Sequence, residues 1–344
     1  MHSCSGSRGN PPSRRHENQG QLMSRRAIDV PALVSQAQEG SPRAVARLIS
    51  LVEEASPILR EVMAALAPHT GRAHVVGLTG SPGVGKSTCT SALVGALRAQ
   101  GRRVGVLAVD PSSPFSGGAL LGDRVRMQDH ALDPEVYIRS MASRGHLGGL
   151  SWATPQAVRV LDAAGCEVVL VETVGVGQSE IEVVGLADTT VVLLAPGMGD
   201  GIQAAKAGIL EIGDIFVVNK ADRPGADATV RDLRHMVRLG ARGDGPSWRP
   251  PVLRTVAAQG VGVDELASAV TGHRTWAVEH GELSRRRLAR AAGEIEAIAL
   301  ATLRGRMGDL RAGDGLEPYA RQVVEGTSDP YTAADRVVEQ LGRD

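Results

Sequence analysis

A chain of 344 residues, 42% of them hydrophobic and 22% charged, has the material for a globular core of one large domain or two modest ones. Its 38 basic residues balance its 38 acidic ones, which removes any global electrostatic case for nucleic acid or an anionic membrane. Aromatic residues make up only 2%, so aliphatic side chains must fill the core, and stacking platforms for single-stranded bases are not expected.

Residues 1–25 are rich in Ser, Gly, Pro, Arg and Asn and read as a disordered tail, or as an upstream extension before a second start at Met23; without an apolar h-region no secretory signal is expected in them. Three helices are then expected, over a small helical subdomain at residues 26–72. Asp29 precedes "VPALVSQAQEG", Ser41-Pro42 opens "RAVARLISLVEE" and Ser56-Pro57 opens "ILREVMAALA". In the latter two, Ser serves as cap and Pro takes the first turn, where a missing N–H costs nothing.

From His74 the texture changes. The runs "HVVGLT", "RVGVLAVD", "CEVVLVE", "TTVVLLA", "DIFVVNK" and "PVLRTVA" are short, β-branched and apolar on both faces, as strands buried in a parallel sheet must be. Helical stretches such as "STCTSALVGALRAQ" lie between them. The expected fold is α/β, a doubly wound, mostly parallel sheet over residues 73–272. Beyond it "LSRRRLARAAGEIEAIALATLRGRM" and "DPYTAADRVVEQLG" predict a helical C-terminal arm over 273–344, with Arg285, Arg286 and Arg287 on a solvated face. No run approaches the ~18 apolar residues of a membrane span. Cys4, Cys89 and Cys166 follow neither disulfide nor metal-ligand spacing, so a cytoplasmic protein without membrane or nucleic-acid partners is expected.

The chemistry begins at "GSPGVGKS", residues 80–87, which matches G-x-x-x-x-G-K-[ST] between a predicted strand and a predicted helix. Gly80, Gly83 and Gly85 let backbone N–H groups, with those of Val84 and Thr88, curl around phosphate oxygens at the helix's positive end. Lys86 would neutralise the β- and γ-phosphates, and Ser87 would bind Mg²⁺ through its hydroxyl. At the end of another strand, "NKAD" places Asn219, Lys220 and Asp222 as guanine readers. Asp222 would accept from N1–H and the 2-amino group, which adenine cannot supply; such a missing partner discriminates on the order of 10⁴-fold. The loop "TVAAQG", with Ala257, is a candidate for contact with O6 from the far side. Asp110, Asp123 and Glu172 supply carboxylates for the metal, and Gly175 an N–H for the γ-phosphate. Lys86, Asp110 and Glu172 form the expected catalytic set.

These motifs, together with "VDPSSPFSGGALLGDRVRM", "GHLGGL", "GMGDGIQAAKAGILEIGDIFVVNKAD" and "WRPPVL", resemble the MeaB/ArgK GTPases, bacterial relatives of the methylmalonic aciduria type A protein. The resemblance covers roughly residues 26–275. It implies a P-loop GTPase of the metallochaperone (SIMIBI-like) class that binds GTP and GDP with Mg²⁺. It further implies a homodimeric chaperone that gates adenosylcobalamin loading into an acyl-CoA mutase, methylmalonyl-CoA mutase above all, and protects or reactivates that mutase. No cobalamin-binding D-x-H-x-x-G occurs in the chain, so the cobalamin chemistry would belong to the partner.

The family also carries a switch segment that couples nucleotide state to the mutase; here it corresponds to Asp200, Gln203 and Lys206. The chain has 35 arginines but only three lysines, Lys86, Lys206 and Lys220. A surviving lysine marks a place where a guanidinium does not fit, and two of the three lie in nucleotide motifs. That oddity and the resemblance converge on Lys206. Three other readings stay open: a nickel-inserting metallochaperone GTPase, a transport-linked kinase, and a nucleotide-gated scaffold. The nine histidines are scattered rather than clustered, and no H-R-D context is visible, which count against the first two.

Val176, not a glutamine, follows Gly175, and the nearest Gln is Gln178. Arg124, Arg126 and Arg144 are candidates for the missing positive charge. Without a positioned Gln or arginine finger, intrinsic hydrolysis is expected to be slow and to be raised by a partner protein. Phosphate release by the purified protein checks this; fast turnover by the protein alone contradicts it.

Overall fold

In the computed structural model, which describes residues 28–110, 128–142, 153–173, 185–197, 212–240, 247–312 and 315–341, the apolar runs assemble into one parallel sheet. Its strands are β1 (His74–Thr79), β2 (Val104–Asp110), β3 (Val136–Ala142), β4 (Val168–Thr173), β5 (Thr189–Leu194), β6 (Ile215–Val218) and β7 (Val252–Arg254). They lie in the order β3-β2-β4-β1-β5-β6-β7, and every neighbouring pair is parallel. This is the doubly wound α/β architecture that the alternating runs imply.

β3 is a correction to the sequence reading, which names six strands and passes over "VYIRSMA". Arg139 and Ser140 break its apolar run, and they can do so because β3 is an edge strand pairing only with β2 among the described residues.

Side-chain alternation sends successive strand residues to opposite faces. On one face Val75, Leu107, Val109, Val169 and Val171 form a core with α1 (Val30–Gln38), α2 (Pro42–Glu53), α3 (Leu59–Leu66) and α5 (Ala153–Ala163). On the other, Val76, Leu78, Val106, Leu170, Leu193 and Val217 pack under α4 (Lys86–Ala99) and α7 (Val263–Glu279). A third cluster joins Phe216 and Val218 to Val230 and Leu233 of α6 (Ala226–Gly240). After α7 come α8 (Glu282–Ala312), α9 (Glu317–Val324) and α10 (Pro330–Leu341). Among the described residues no helix is long and apolar enough to cross a membrane.

Of the three expected helix starts, two form with a side-chain cap. Asp29 Oδ1 accepts from Ala32 N at 3.0 Å, and Ser41 Oγ from Ala44 N at 3.4 Å. The third does not: α3 starts at Leu59 with no side-chain cap, and Ser56 gives only its carbonyl to Leu59 N, at 2.8 Å. Pro57 and Ile58 occupy a turn ahead of the helix.

A second correction concerns the arginine cluster of α8, expected on a solvated face. Only Arg285 is there, 71% exposed and paired with Glu282. Arg286 grips Asp214 with both terminal nitrogens, at 2.8 and 2.9 Å; Arg287 reaches Asp188 at 2.6 Å and Arg290 reaches it at 2.9 Å. Both carboxylates are buried at the starts of strands. Asp188 also accepts from Val75 N at 3.1 Å and Asp214 from Thr190 N at 2.8 Å, so three arginines of one helix fasten it to β1 and β5. Burial pushes the Asp214 carboxyl up, but the close approach of His273 and the hydrogen bonds from Arg286 outweigh that and hold it at about 2.

Two buried histidines complete this base. Thr189 Oγ1 stands 2.7 Å from His74 Nε2 and 2.7 Å from His273 Nδ1, and His273 Nε2 lies 3.3 Å from Asp214. Burial lowers His74 from 6.5 to about 3; Asp188 opposes the shift, while Arg274, His273 and Arg287 reinforce it. His74 is therefore neutral in the fold but takes a proton in the unfolded chain once pH drops below about 6.5. Its contribution to stability is present above that pH and is lost progressively toward pH 3, by up to ~1.4 kcal/mol per pH unit. Urea midpoints are expected to fall between pH 6.5 and about 4.5, and His74→Gln to flatten that fall. An unchanged slope in the variant contradicts the assignment.

Candidate functional site

The phosphate-loop motif lies where β1 ends and α4 begins, at the C-terminal edge of the sheet. Two of its glycines are required by contact as well as by conformation. Gly80 has φ +140°, and a Cβ there would stand 2.2 Å from Leu193 O of β5. Gly85 has φ +94°, and its Cβ would stand 2.5 Å from Asn219 Nδ2. Val84 is buried beneath the loop while Thr88 is exposed.

Lys86 is buried, and its Nζ curls back to donate to Gly80 O at 2.5 Å and Ser81 O at 3.3 Å. One residue on, Ser87 Oγ donates to Glu172 Oε1 at 2.5 Å. Glu172 is buried near the end of β4, level with Leu78 of β1 and Ala108 of β2. The backbone of Asp110 ends β2 beyond Val109, which pairs with Thr173; its side chain lies outside the described atoms. The structure thus brings Lys86, Ser87 and Glu172 together. Cys89, on the next turn of α4, is pushed up to about 12 by burial with the Glu172 charge adding, and is an inert core thiol.

The "NKAD" motif follows β6 and docks directly onto the phosphate loop. Asn219 is buried; its Nδ2 donates to Val84 O at 2.9 Å. Its Oδ1 accepts from Thr255 Oγ1 at 3.0 Å and from Ala257 N at 3.1 Å. Lys220 adopts the left-handed region, φ +54°, and spans to Gly83 O at 2.6 Å. Ala221 N donates to Thr255 O at 3.0 Å, and Asp222 is exposed just beyond. Sequence reasoning places all three loops but misses Thr255 as a partner of Asn219. The "TV" preceding Ala257 is a weak signal, because a threonine at a strand end is common.

Asp123, Gly175, Asp200, Gln203 and Lys206 lie outside the described residues, as do Val176, Gln178, Arg124, Arg126 and Arg144. Among the described residues no group of three or more His, Cys, Asp or Glu side chains stands ready for a metal ion. What is present suits an anion: a glycine-lined loop at a helix N-terminus, with one buried ammonium inside it.

The glycine contacts give a graded test. Gly80→Ala drives a methyl into a backbone carbonyl and is expected to cost at least ~2 kcal/mol in urea denaturation. Gly83→Ala, with φ +80° but no neighbour within 4 Å, is expected to cost ~1 kcal/mol. Equal costs would contradict the packing described.

Comparisons with known proteins fit this geometry. The family model described as the methylmalonyl-CoA mutase-associated GTPase MeaB matches residues 45–309. A putative GTPase of Pyrococcus abyssi is 47% identical over 90% of this chain and 96% of its own length. GTPase ArgK of Escherichia coli is 34% identical over 89% of this chain and 95% of its own. The crystal structure of an LAO/AO transport system kinase superposes with a TM-score of 0.66 and 28% identity, covering 91% of this chain and 97% of that one. The chain belongs to the MeaB family and is a P-loop GTPase that acts on guanine nucleotide.

Proposed function

We propose that this GTPase is a nucleotide-switched chaperone of an adenosylcobalamin-dependent acyl-CoA mutase, methylmalonyl-CoA mutase being the first candidate. The observation that carries the nucleotide half is the Asn219 side chain, bonded at once to Val84 of the phosphate loop and to Thr255 and Ala257. A base held against Asp222 would share one rigid frame with phosphates held by the N–H groups of residues 80–88. Gly80, Gly83, Val84, Gly85 and Thr88 would line that cradle, with Gly175 at the γ-phosphate. Lys86 Nζ would exchange the carbonyls of Gly80 and Ser81 for β- and γ-oxygens.

Ser87 and Glu172 offer hard oxygen donors within 2.5 Å of each other, a set that suits magnesium. They, with Asp110 and Asp123, would hold that ion, which neutralises charge on the β- and γ-phosphates when bound. Asp110 and Glu172, on adjacent ends of β2 and β4, would also orient the attacking water.

The partner half rests on the family, whose description names methylmalonyl-CoA mutase. Asp200, Gln203 and Lys206 would transmit nucleotide state to the mutase, and the C-terminal arm would join two copies in a homodimer. A kinase reading draws only on the likeness to the LAO/AO transport system kinase, and phosphate transfer to a protein rather than to water would favour it.

Two variants separate a switch from a scaffold. Lys86→Ala is expected to weaken nucleotide binding by at least ~100-fold, about 2.7 kcal/mol, and to abolish partner regulation. Glu172→Ala is expected to bind nucleotide yet fail to hydrolyse it, arresting the regulatory cycle. Co-purification with candidate acyl-CoA mutases, in GDP and in a non-hydrolysable GTP analogue, measures the coupling. Binding that differs between the nucleotides supports the proposal; equal binding in both states overturns it.

A further inference from the structure

A cavity of about 430 Å³ lies far from the phosphate loop, between α2, α5 and the edge strand β3. Its apolar wall comes from Val45, Ala46 and Ile49 of α2 and from Leu161 of α5. Four consecutive residues of β3, 136–139, also line it. Successive strand side chains point to opposite faces, and those of Val136 and Ile138 pack on the far face under α4. These two residues therefore meet the cavity along the strand's open edge, with their backbone.

The edge is chemically unfinished. Val104 N donates to Glu135 O at 3.0 Å, which sets the alternation of the parallel ladder: Glu135, Tyr137 and Arg139 turn toward β2. Ile138 and Ser140 then turn both backbone N–H and C=O outward, and β3 has no second neighbour among the described residues. Arg139, on the cavity wall, is gripped by Glu53 and by Ser50 Oγ through Nη2, but its Nε is buried with no acceptor. With Glu53 so engaged, the remaining charges of α2 are Arg43 and Arg47, exposed, one turn apart, and without an ion-pair partner among the described residues.

We infer that this edge is a peptide-docking site: an extended segment of another protein adds as a strand beside β3, with an aliphatic side chain in the cavity and acidic side chains toward Arg43 and Arg47. The open backbone groups select an extended chain over a compact ligand. The apolar wall selects a branched aliphatic side chain, and the two arginines select acidic flanks over basic ones. None of these residues takes part in the nucleotide site.

The test uses the full chain and the peptide acetyl-Asp-Val-Asp-Ile-Asp-Val-amide, with a control in which Lys replaces each Asp. Binding is read by NMR and by amide exchange. The acidic peptide is expected to bind below ~1 mM, at least ~10-fold more tightly than the control, and to protect the amides of Ile138 and Ser140. Ala46→Trp, which fills the cavity mouth, should weaken binding at least ~10-fold while basal GTP hydrolysis stays unchanged. Arg43→Glu with Arg47→Glu should reverse the preference toward the Lys peptide. Equal affinity for both peptides, no binding at ~1 mM, or protection elsewhere on the molecule overturns the inference. Octanoate binding as tightly as the peptide without protecting an edge amide makes this a small-acid pocket and also overturns it.

Discussion

The buried carboxamide of Asn219 is the constraint on which the nucleotide end of the fold depends. One side chain donates to the phosphate loop and accepts from the loop after β7, and it is itself held by Asn219 N donating to Leu194 O at 2.8 Å. Breaking the group would leave Val84 O, Thr255 Oγ1 and Ala257 N without their partner, and buried polar groups in that condition cost about 1–3 kcal/mol apiece. The glycine at position 85 answers the same constraint, since only a residue without Cβ lets the amide approach so closely. The phosphate-loop motif and the "NKAD" motif are therefore built as one hydrogen-bonded unit rather than as two motifs that happen to face each other.

The opposite end of the sheet is organised by charge. Asp188 and Asp214 sit buried at strand starts, and α8 supplies the arginines that make their burial tolerable. An ion pair so enclosed is costly to break from one side only, typically about 3–5 kcal/mol, because it leaves the other charge stranded. The consequence is positional: α8 is registered against β1 and β5, the strands whose far ends carry Gly80 and Leu193. A rigid sheet thus connects the helical C-terminal region to the phosphate loop through two short strands.

Much of this was legible in the sequence because the informative interactions are local. The phosphate loop is a contiguous spacing, and strands buried on both faces declare themselves as β-branched runs. β3 did not, because an edge strand tolerates Arg139 and Ser140 where a central strand would not. The α8 arginines misled because their partners lie 72 and 99 residues away, and nothing near Arg286 or Arg287 in the chain distinguishes a solvated face from a clamp. Ser56 misled for the opposite reason: a Ser-Pro pair is equally at home in the turn that precedes a helix. Of the site, Asn219, Lys86, Ser87 and Glu172 were nameable from pattern, whereas the bonds that join them appear only in three dimensions.

Whether one pre-assembled frame reads both guanine and phosphate is decided by calorimetric titration of GDP, IDP and ADP into the purified protein. IDP lacks the 2-amino group that Asp222 would hold, and ADP lacks both that group and N1–H. A single frame predicts tight binding of GDP, at least ~10-fold weaker binding of IDP, and ADP weaker than GDP by ~10⁴-fold. ADP binding within ~10-fold of GDP would contradict it.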